Sequence, residues 1–451
     1  MPSLGELIAP RRLGRDFRWL MASSWATDIG DGIALSAAPL LIASLTSSPI
    51  LVAGGLLMQF LPWVLFGLFA GSVADHHDRR RLVIIADGSR AVIVAGLVAF
   101  LVTGQVTVWI VLGMAFLWGT AEVFANTAGS TLMPMLVKPA DLGIGNARLQ
   151  GGFLVGNQLI GPPLGAFLFA AGSFWPFVTQ IVCVTLGVIL ISRIARTPIP
   201  PKGESGGAAA AVAVAGDGAV VEAAAVATAP TATPHPIREG LRWLRGNPPV
   251  RTLVVIILVF NVTWAAPWSI LVLYATKHLG LGPVGYGSLT TAAALGGLLS
   301  TFAFGWLERH VKFATLMRIC LSLEVVMHLS FALTTSGIVA LVIMFGFGAY
   351  AFVWGTISTT VRQRLVPLEL QGRIASVNMV GVFGGLVIGE LLGGVIAQTW
   401  GLTAPWWFAF GGSLITLIIV WRSISNIMAA RPVIGDDADD DAGDDVTAPE
   451  D

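Results

Sequence analysis

Charge is what this sequence has least of. Of 451 residues only 12% are Asp, Glu, Lys or Arg, whereas 55% are hydrophobic and the mean hydropathy is +0.80. A soluble protein of this length would need far more charge to cover its surface, so a soluble fold is excluded. Cysteine is nearly absent as well. Cys183 and Cys320 both fall inside apolar runs, where they are expected only to pack, and neither a disulfide framework nor a metal site is suggested. No Walker phosphate loop, Rossmann glycine turn, zinc-ligand cluster or nucleophile elbow occurs in a credible context. The chain is therefore not expected to be an enzyme, to carry a cofactor, to bind nucleic acid or to use bound ATP. The short alternating strands of a membrane barrel are missing too.

What is present is a series of apolar runs. A hydrocarbon core about 30 Å thick needs about 20 helical residues, and backbone groups inside it must be satisfied within the helix. Twelve runs qualify: 17–45, 50–74, 83–104, 106–133, 143–171, 174–195, 250–276, 285–307, 313–334, 338–361, 373–399 and 404–428. The expected fold class is an all-α integral membrane protein of twelve transmembrane helices in two pseudo-symmetric six-helix bundles. Arg11, Arg12 and Arg15 precede the first run, which is too long for a signal-peptide core and reads as a retained helix.

Charge distribution sets the expected orientation. With the N-terminus in the cytoplasm, the connections near Ser47, Gly104, Gly172, Lys277, Gly337 and Gln398 face outward, and of the 26 Lys and Arg only Lys277 lies in them. The other basic residues fall in the tails, the inner loops or nearby helix ends, as the positive-inside rule requires. Both termini are then cytoplasmic in a multi-pass cell-membrane protein. Zero net charge conceals an uneven split, because nine of the 26 acids lie within residues 436–451.

The expected organisation is an N-terminal six-helix bundle over 1–196, a flexible cytoplasmic linker over 197–236, an amphipathic cytoplasmic helix over 237–249, a C-terminal bundle over 250–430 and a disordered acidic tail over 431–451. In the amphipathic segment Leu241, Trp243 and Leu244 can face the bilayer interface while Arg238, Arg242 and Arg245 meet anionic headgroups.

The two halves repeat. Pro139-Ala-Asp-Leu142 and Pro367-Leu-Glu-Leu370 are 228 residues apart, and at that offset Gly156, Gly161 and Gly165 meet Gly384, Gly389 and Gly393. Equal-topology repeats of six helices place a binding site between the halves near the bilayer midplane, which points to a transporter.

Two motifs carry a family resemblance. Gly71-Ser-Val-Ala-Asp75-His-His-Asp78-Arg79-Arg80-Arg81 resembles the loop signature of the major facilitator superfamily, with Gly71, Asp75, Arg79 and Arg80 matching and Asp78 standing where a glycine is usual. Gly156-x-x-x-x-Gly161-Pro162-x-x-Gly165 is similar to the antiporter signature of that superfamily's drug exporters, with Ala166 in place of its final glycine. The fourth span lacks the embedded arginine of the common drug-antiporter pattern. Arg238-Glu-Gly-Leu-Arg-Trp-Leu, Leu370-Gln-Gly372-Arg373 and Asp28-Ile-Gly-Asp31-Gly resemble the branch of macrolide efflux proteins, the enterobactin exporter and mycobacterial tetracycline/aminoglycoside pumps. The resemblance implies a gate at Asp75 and its arginines, and a moving segment at the Gly156–Gly165 motif. Plain packing of small residues and ordinary orientation charges are the simpler readings of the same groups.

Embedded carboxylates complete the expectation. A charge at the bilayer centre costs at least about 2.5–3.5 kcal/mol on insertion scales, so such a residue needs a partner, a wet cavity or a proton. Asp28 and Asp31 share a face of the first helix, Glu122 lies in the fourth and Glu390 in the eleventh; these four are the proton-coupling candidates. Glu324 and His328 are one helical turn apart in the ninth span, a pair that could share one proton, with a satisfied structural pair as the favoured reading. Trp25, Asn126, Asn261, Trp264 and Trp354 are substrate-cavity candidates, while Trp109, Trp175, Trp400, Trp406 and Trp407 are expected in the outer interfacial belt. The expected activity is proton-coupled export of hydrophobic or amphiphilic small molecules such as antibiotics, by a monomer whose partners are substrate, protons and anionic lipid. Export of one endogenous siderophore or lipid, or a non-transporting membrane scaffold, are the competing expectations.

Overall fold

The structure, a computed structural model, describes residues 11–195, 245–246, 248–365, 368–421 and Ile424. The expected linker and acidic tail lie outside them, as does most of segment 237–249. Among the described residues there are twelve long helices and no strand. They are α1 Arg15–Leu45, α2 Pro49–His76, α3 Arg79–Val102, α4 Val108–Leu136, α5 Leu142–Ala171, α6 Trp175–Ile191, α7 Pro248–Trp268 continuing through Leu271–Leu273 to Tyr274–His278, α8 Pro283–His310, α9 Phe313–Leu333, α10 Gly337–Leu365, α11 Leu368–Trp400 and α12 Ala404–Val420. Ten are long and apolar enough to cross a membrane on the usual threshold. The remaining two, α6 and α12, have 17 residues each. At 1.5 Å per residue that is about 26 Å, the short end of a spanning helix.

The sequence dictates the ends of several helices. Asp78, where the superfamily loop usually has glycine, is the N-cap of α3: its carboxylate accepts from the backbone N–H of Arg80 at 3.0 Å and of Arg81 at 3.3 Å. Thr107 caps α4 through Ile110 N–H at 3.4 Å. Two helices depart from the regular pattern. In α5, Leu154–Ile160 winds as a π-helix just ahead of Gly161-Pro162. Sequence periodicity predicts one unbroken α7, yet the helix breaks at Ser269-Ile270 and ends in a π-turn over Tyr274–His278. Pro267 lies just before the break, inside the last turn of the first segment.

The repeat reappears as matched packing. A Cβ placed on Gly161 would lie 2.5 Å from Gly32 Cα on α1; one on Gly389 would lie 2.5 Å from Val262 O and 2.8 Å from Ala265 Cβ on α7. Gly165 sits against Ile33 with Ser36 Oγ 2.6 Å from that ideal Cβ, and Gly393 sits against Ala266 with Ser269 Oγ at the same 2.6 Å. The crossings α1–α5 and α7–α11 are thus the same close contact made twice.

The halves meet at the end of the bundle that carries the connections near Ser47, Gly172, Lys277 and Gln398. There Ser48 Oγ donates to Gln398 Oε1 at 3.0 Å, Gly394 packs on Pro49, Ile50 and Ala53, and Gly287 packs on Pro162 and Ala166. About halfway along α2, Trp63 stacks on Phe383 of α11, with ring centroids 4.8 Å apart.

The aromatic belt needs one correction. Trp109, Trp175, Trp400 and Trp407 are exposed, but Trp406 is fully buried, stacked on Phe331 at 4.3 Å and edge-on to Trp268 at 5.7 Å. Its position at the third residue of α12 suits an interface; its face on the helix turns it inward.

Candidate functional site

A cavity of about 1260 Å³, counted with its open mouth, lies between the halves. Most of its wall comes from α1 to α6. α2 gives Gln59, Phe60 and Trp63, α4 gives Met114, Trp118, Glu122 and Asn126, and α6 gives Phe177 and Gln180. The second half closes it with Trp268 and Ser269 at the break in α7, Tyr286 of α8 and Phe383 of α11. The wall is aliphatic and aromatic apart from a few amides and hydroxyls and two carboxylates, Asp31 and Glu122.

Those carboxylates belong to a charge cluster built around Arg90. Its guanidinium donates from Nη2 to Asp31 Oδ1 at 2.5 Å and from Nη1 to Asp87 Oδ1 at 2.9 Å. Its charge also lies 4.6 Å from the centroid of the Trp118 ring. Three helices meet here: α1 through Asp31, α3 through Asp87 and Arg90, and α4 through Trp118 and Glu122. Arg90 is buried, with a side chain only 4% exposed. Asp28, one turn before Asp31, accepts from Ser24 Oγ at 3.2 Å. Glu122 lies within electrostatic range of Arg90, Asp31 and Asp87 but makes no hydrogen bond or ion pair among the described residues. Four acids therefore surround one arginine, an imbalance that only a wet cavity, a cation or added protons can sustain at this depth.

Sequence reasoning missed Asp87 and Arg90. All basic residues but Lys277 were assigned to loops or helix ends, and Arg90 follows closely on Arg79-Arg80-Arg81. The structure corrects that: Arg90 is eleven residues into α3, about 16 Å from its start. Their spacing was the available signal, because Asp87 and Arg90 are an i, i+3 pair of opposite charge inside an apolar run.

The other predicted residues are distributed as follows. Asn126 lines the cavity. Trp25, Asn261, Trp264, Trp354 and Glu390 are not among its lining residues. Trp25 packs on Gly152 and donates from Nε1 to Arg148 O at 3.1 Å, holding α1 to α5. Asn261 Nδ2 bonds back to Ile257 O at 2.7 Å. Trp264 packs on Trp268 and Phe347, and Trp354 stacks on Phe260 at 5.8 Å. Glu390 is buried at 2% exposure. Gly156 approaches Ile29, its ideal Cβ 3.0 Å from Ile29 Cγ1, and Pro162 O accepts from Ser36 Oγ at 2.7 Å.

At the α2–α3 loop Gly71 is half-buried, and the Asp75 side chain lies outside what the structure describes. Arg79 is buried and donates to Ala74 O at 3.5 Å and towards Met135 Sδ at 3.2 Å. Arg80 crosses to the end of α6, donating to Ile191 O at 3.3 Å and to Ser192 O. A cation on unsatisfied C-terminal carbonyls of a helix is favourable, so Arg80 ties α3 to α6. Among the described residues no group of three or more His, Cys, Asp or Glu could hold a metal ion.

Twelve helices in a duplicated arrangement about a central cavity define a membrane transporter. Residues 20–389 match the description of the Major Facilitator Superfamily, and the chain belongs to that family. It is 27% identical over 400 residues to "Multidrug efflux pump Tap" of Mycolicibacterium fortuitum, covering 83% of this chain and 87% of that one. It is 23% identical over 388 residues to "Macrolide efflux protein A" of Streptococcus pyogenes, with the same coverage of 83% and 87%. Among solved structures it is similar to a bacterial homologue of the iron transporter ferroportin in its inward-facing state, with TM-score 0.68 at 18% identity over 92% of this chain and 99% of that one. The outward-facing state of that homologue superposes with TM-score 0.56, covering 92% of this chain and 100% of that one. The chain resembles the superfamily's drug-efflux branch and is a transporter, not an enzyme.

Proposed function

We propose that this protein is a proton-coupled exporter of hydrophobic or amphiphilic small molecules, antibiotics among them, working by alternating access from a cytoplasmic-termini topology. One observation carries the reading: an acid-rich cluster around a single arginine opens onto an otherwise apolar, aromatic cavity. Names of the relatives supply the drug class; the cluster supplies the coupling. Arg90 holds Asp31 and Asp87 as its paired carboxylates. Glu122 faces the cavity without such a clamp, so it is the acid that takes up and gives off the proton. A drug, above all a cationic one, and a proton then compete for the same negative region. Proton binding from outside releases drug, and proton loss to the cytoplasm readies the site.

In this orientation the contacts at Ser48–Gln398, Gly394–Ala53 and Gly287–Ala166 hold the outer ends of the two halves together. A Ser48→Cys/Gln398→Cys protein, with Cys183 and Cys320 replaced by Ala, should be locked by a short bifunctional thiol reagent. Export should stop on cross-linking and return on cleavage of the linker; undiminished export after complete cross-linking would show that this end need not open.

The reading is tested by Glu122→Gln in inverted vesicles. Drug-dependent proton movement should fall by about 5–150-fold, the range of a typical coupling free energy, while drug binding persists. Export by the unaltered protein that survives a protonophore unchanged would reject proton coupling.

A further inference from the structure

A second polar cluster lies inside the other half, away from the cavity. Glu324 and His328 of α9 are both 0% exposed. Glu324 Oε2 accepts from the Tyr350 hydroxyl of α10, and Glu324 Oε1 faces His328 Nε2 at 3.4 Å. Neither of these last two atoms has another partner among the described residues. On the far side of the ring, His328 Nδ1 lies 3.3 Å from Ser413 Oγ of α12. Ser413 spends its own hydroxyl proton on Phe410 O at 3.1 Å, so its oxygen is left to accept.

The proton inventory follows from those contacts. With the Ser413 hydroxyl on Phe410 O, the ring donates from Nδ1 to Ser413 Oγ, and this is the tautomer assigned to the pair. A neutral imidazole then presents a lone pair at Nε2, directly opposite a carboxylate oxygen. Two acceptors facing each other in a sealed membrane interior, with one full negative charge, is a costly state. One added proton removes both problems: it lies between Oε1 and Nε2 and makes the pair neutral overall. The groups that face the pair are few. Cys320 on α9 and Tyr350 on α10 are the titratable ones, and α12 brings Ser413 and Trp406 but no charged residue along Ala404–Val420.

The cluster is in contact with the cavity wall through aromatic rings. Trp406 lies 6.3 Å from the His328 ring and 5.7 Å from Trp268, which lines the cavity beside the break in α7. A second route runs from Trp268 to Phe347 at 5.0 Å and from Phe347 to Tyr350 at 5.6 Å. Trp268 is thus linked through one ring on each route to both the carboxylate and the imidazole sides of the pair.

We propose that Glu324 and His328, with Tyr350 and Ser413, form a second proton-binding site whose proton is exchanged as the cavity changes state. The transport part of this inference rests on the proton-coupled reading above; the binding part does not. Glu324→Gln is the informative change, because its carbonyl still accepts from Tyr350 and its amide donates to His328 Nε2. It reproduces the protonated pair without a proton to give up and should fold normally.

Two measurements separate the possibilities. Infrared difference spectra of the full chain in lipid nanodiscs, taken across pH, should contain a protonated-carboxyl band that Glu324→Gln removes and His328→Gln shifts. In proteoliposomes loaded with a radiolabelled macrolide, Glu324→Gln should keep drug binding but flatten the pH dependence of export. If no carboxyl band depends on Glu324, the site is overturned. If the band is present but Glu324→Gln exports with the unaltered pH profile, exchange during transport is overturned. A protonophore-insensitive unaltered protein would fail the cavity reading instead, and the infrared result would still decide whether the second proton site exists.

Discussion

Arg90→Met should be the most damaging single substitution in the N-terminal half: export lost, and the protein destabilised by about 3–5 kcal/mol, the usual cost of removing one partner from a buried ion pair. The geometry leaves little room for a milder outcome. Asp31 and Asp87 each take one arm of the guanidinium, at 2.5 Å and 2.9 Å, and methionine fills the space without supplying a donor. Three helices would then hold unneutralised carboxylates at membrane depth. Arg90→Lys should fall between the two, because an ammonium is a point charge that cannot fork to two carboxylates and does not stack on Trp118 as a planar guanidinium does. Adding Asp31→Asn and Asp87→Asn to Arg90→Met should return most of the stability and none of the export. Thermal unfolding in detergent and drug accumulation in an efflux-deficient host measure the two effects separately. An Arg90→Met protein with unaltered melting temperature would show that the cluster is solvated well enough to need no counter-charge.

The contrast between Arg90 and Glu122 explains how far the site was legible beforehand. A carboxylate in an uninterrupted apolar run has few benign explanations, so Asp28, Asp31 and Glu122 stand out in the sequence. A cation ten residues beyond Arg80 has an easy one, as a charge that snorkels to the loop. Only the three-dimensional meeting of α1, α3 and α4 shows that Arg90 points to the acids. Trp268, Tyr286 and Phe383 were invisible for a different reason. Apolar side chains on apolar helices are the background of a membrane protein, and which of them face a cavity depends on helix rotation, which hydropathy does not encode. Trp264 and Trp354 were chosen for depth alone, and depth did not separate them from Trp268.

The twelve spans were legible because length is a strong constraint in a bilayer, and the shortness of α6 and α12 did not hide them: each is bounded by proline at its start and carries no charge. The repeat was legible because two of its three glycine pairs, Gly161 with Gly389 and Gly165 with Gly393, are held by backbone contact. A side chain that packs can be exchanged for another of similar volume; a missing side chain at a helix crossing has no substitute. The break in α7 and the π-segment of α5 were not legible, since both keep the helical hydropathy pattern and change only the hydrogen-bond register.

That backbone contact sets the second large expectation. Gly161→Val and Gly393→Val should each disrupt the protein, one in each half and to a similar degree, whereas Gly384→Ala, at the same repeat register but with nothing within 4 Å of its ideal Cβ, should be neutral. A Cβ on Gly161 meets the backbone of Gly32, and one on Gly393 meets the backbone of Ala266, so no rotamer change on the opposing helix relieves the clash. Overpacking a tight core usually costs about 1–3 kcal/mol, and a backbone-to-backbone crossing belongs at or above the top of that range. Alanine at these two positions is the finer probe. It adds one methyl, whose carbon would start 2.5 Å from Gly32 Cα or closer still to Ala266 O, so α1 must move off α5 or α7 off α11, and it leaves the charge cluster untouched. If the crossings are static packing, Gly161→Ala should lower the melting temperature and the export rate together. If the crossing is a bearing over which α5 moves, with the π-segment Leu154–Ile160 just ahead of it taking up the change in register, export should fall much further than stability does. Equal losses for Gly384→Ala and Gly161→Ala would remove the contact argument altogether, because only one of the two added methyls has anything to strike.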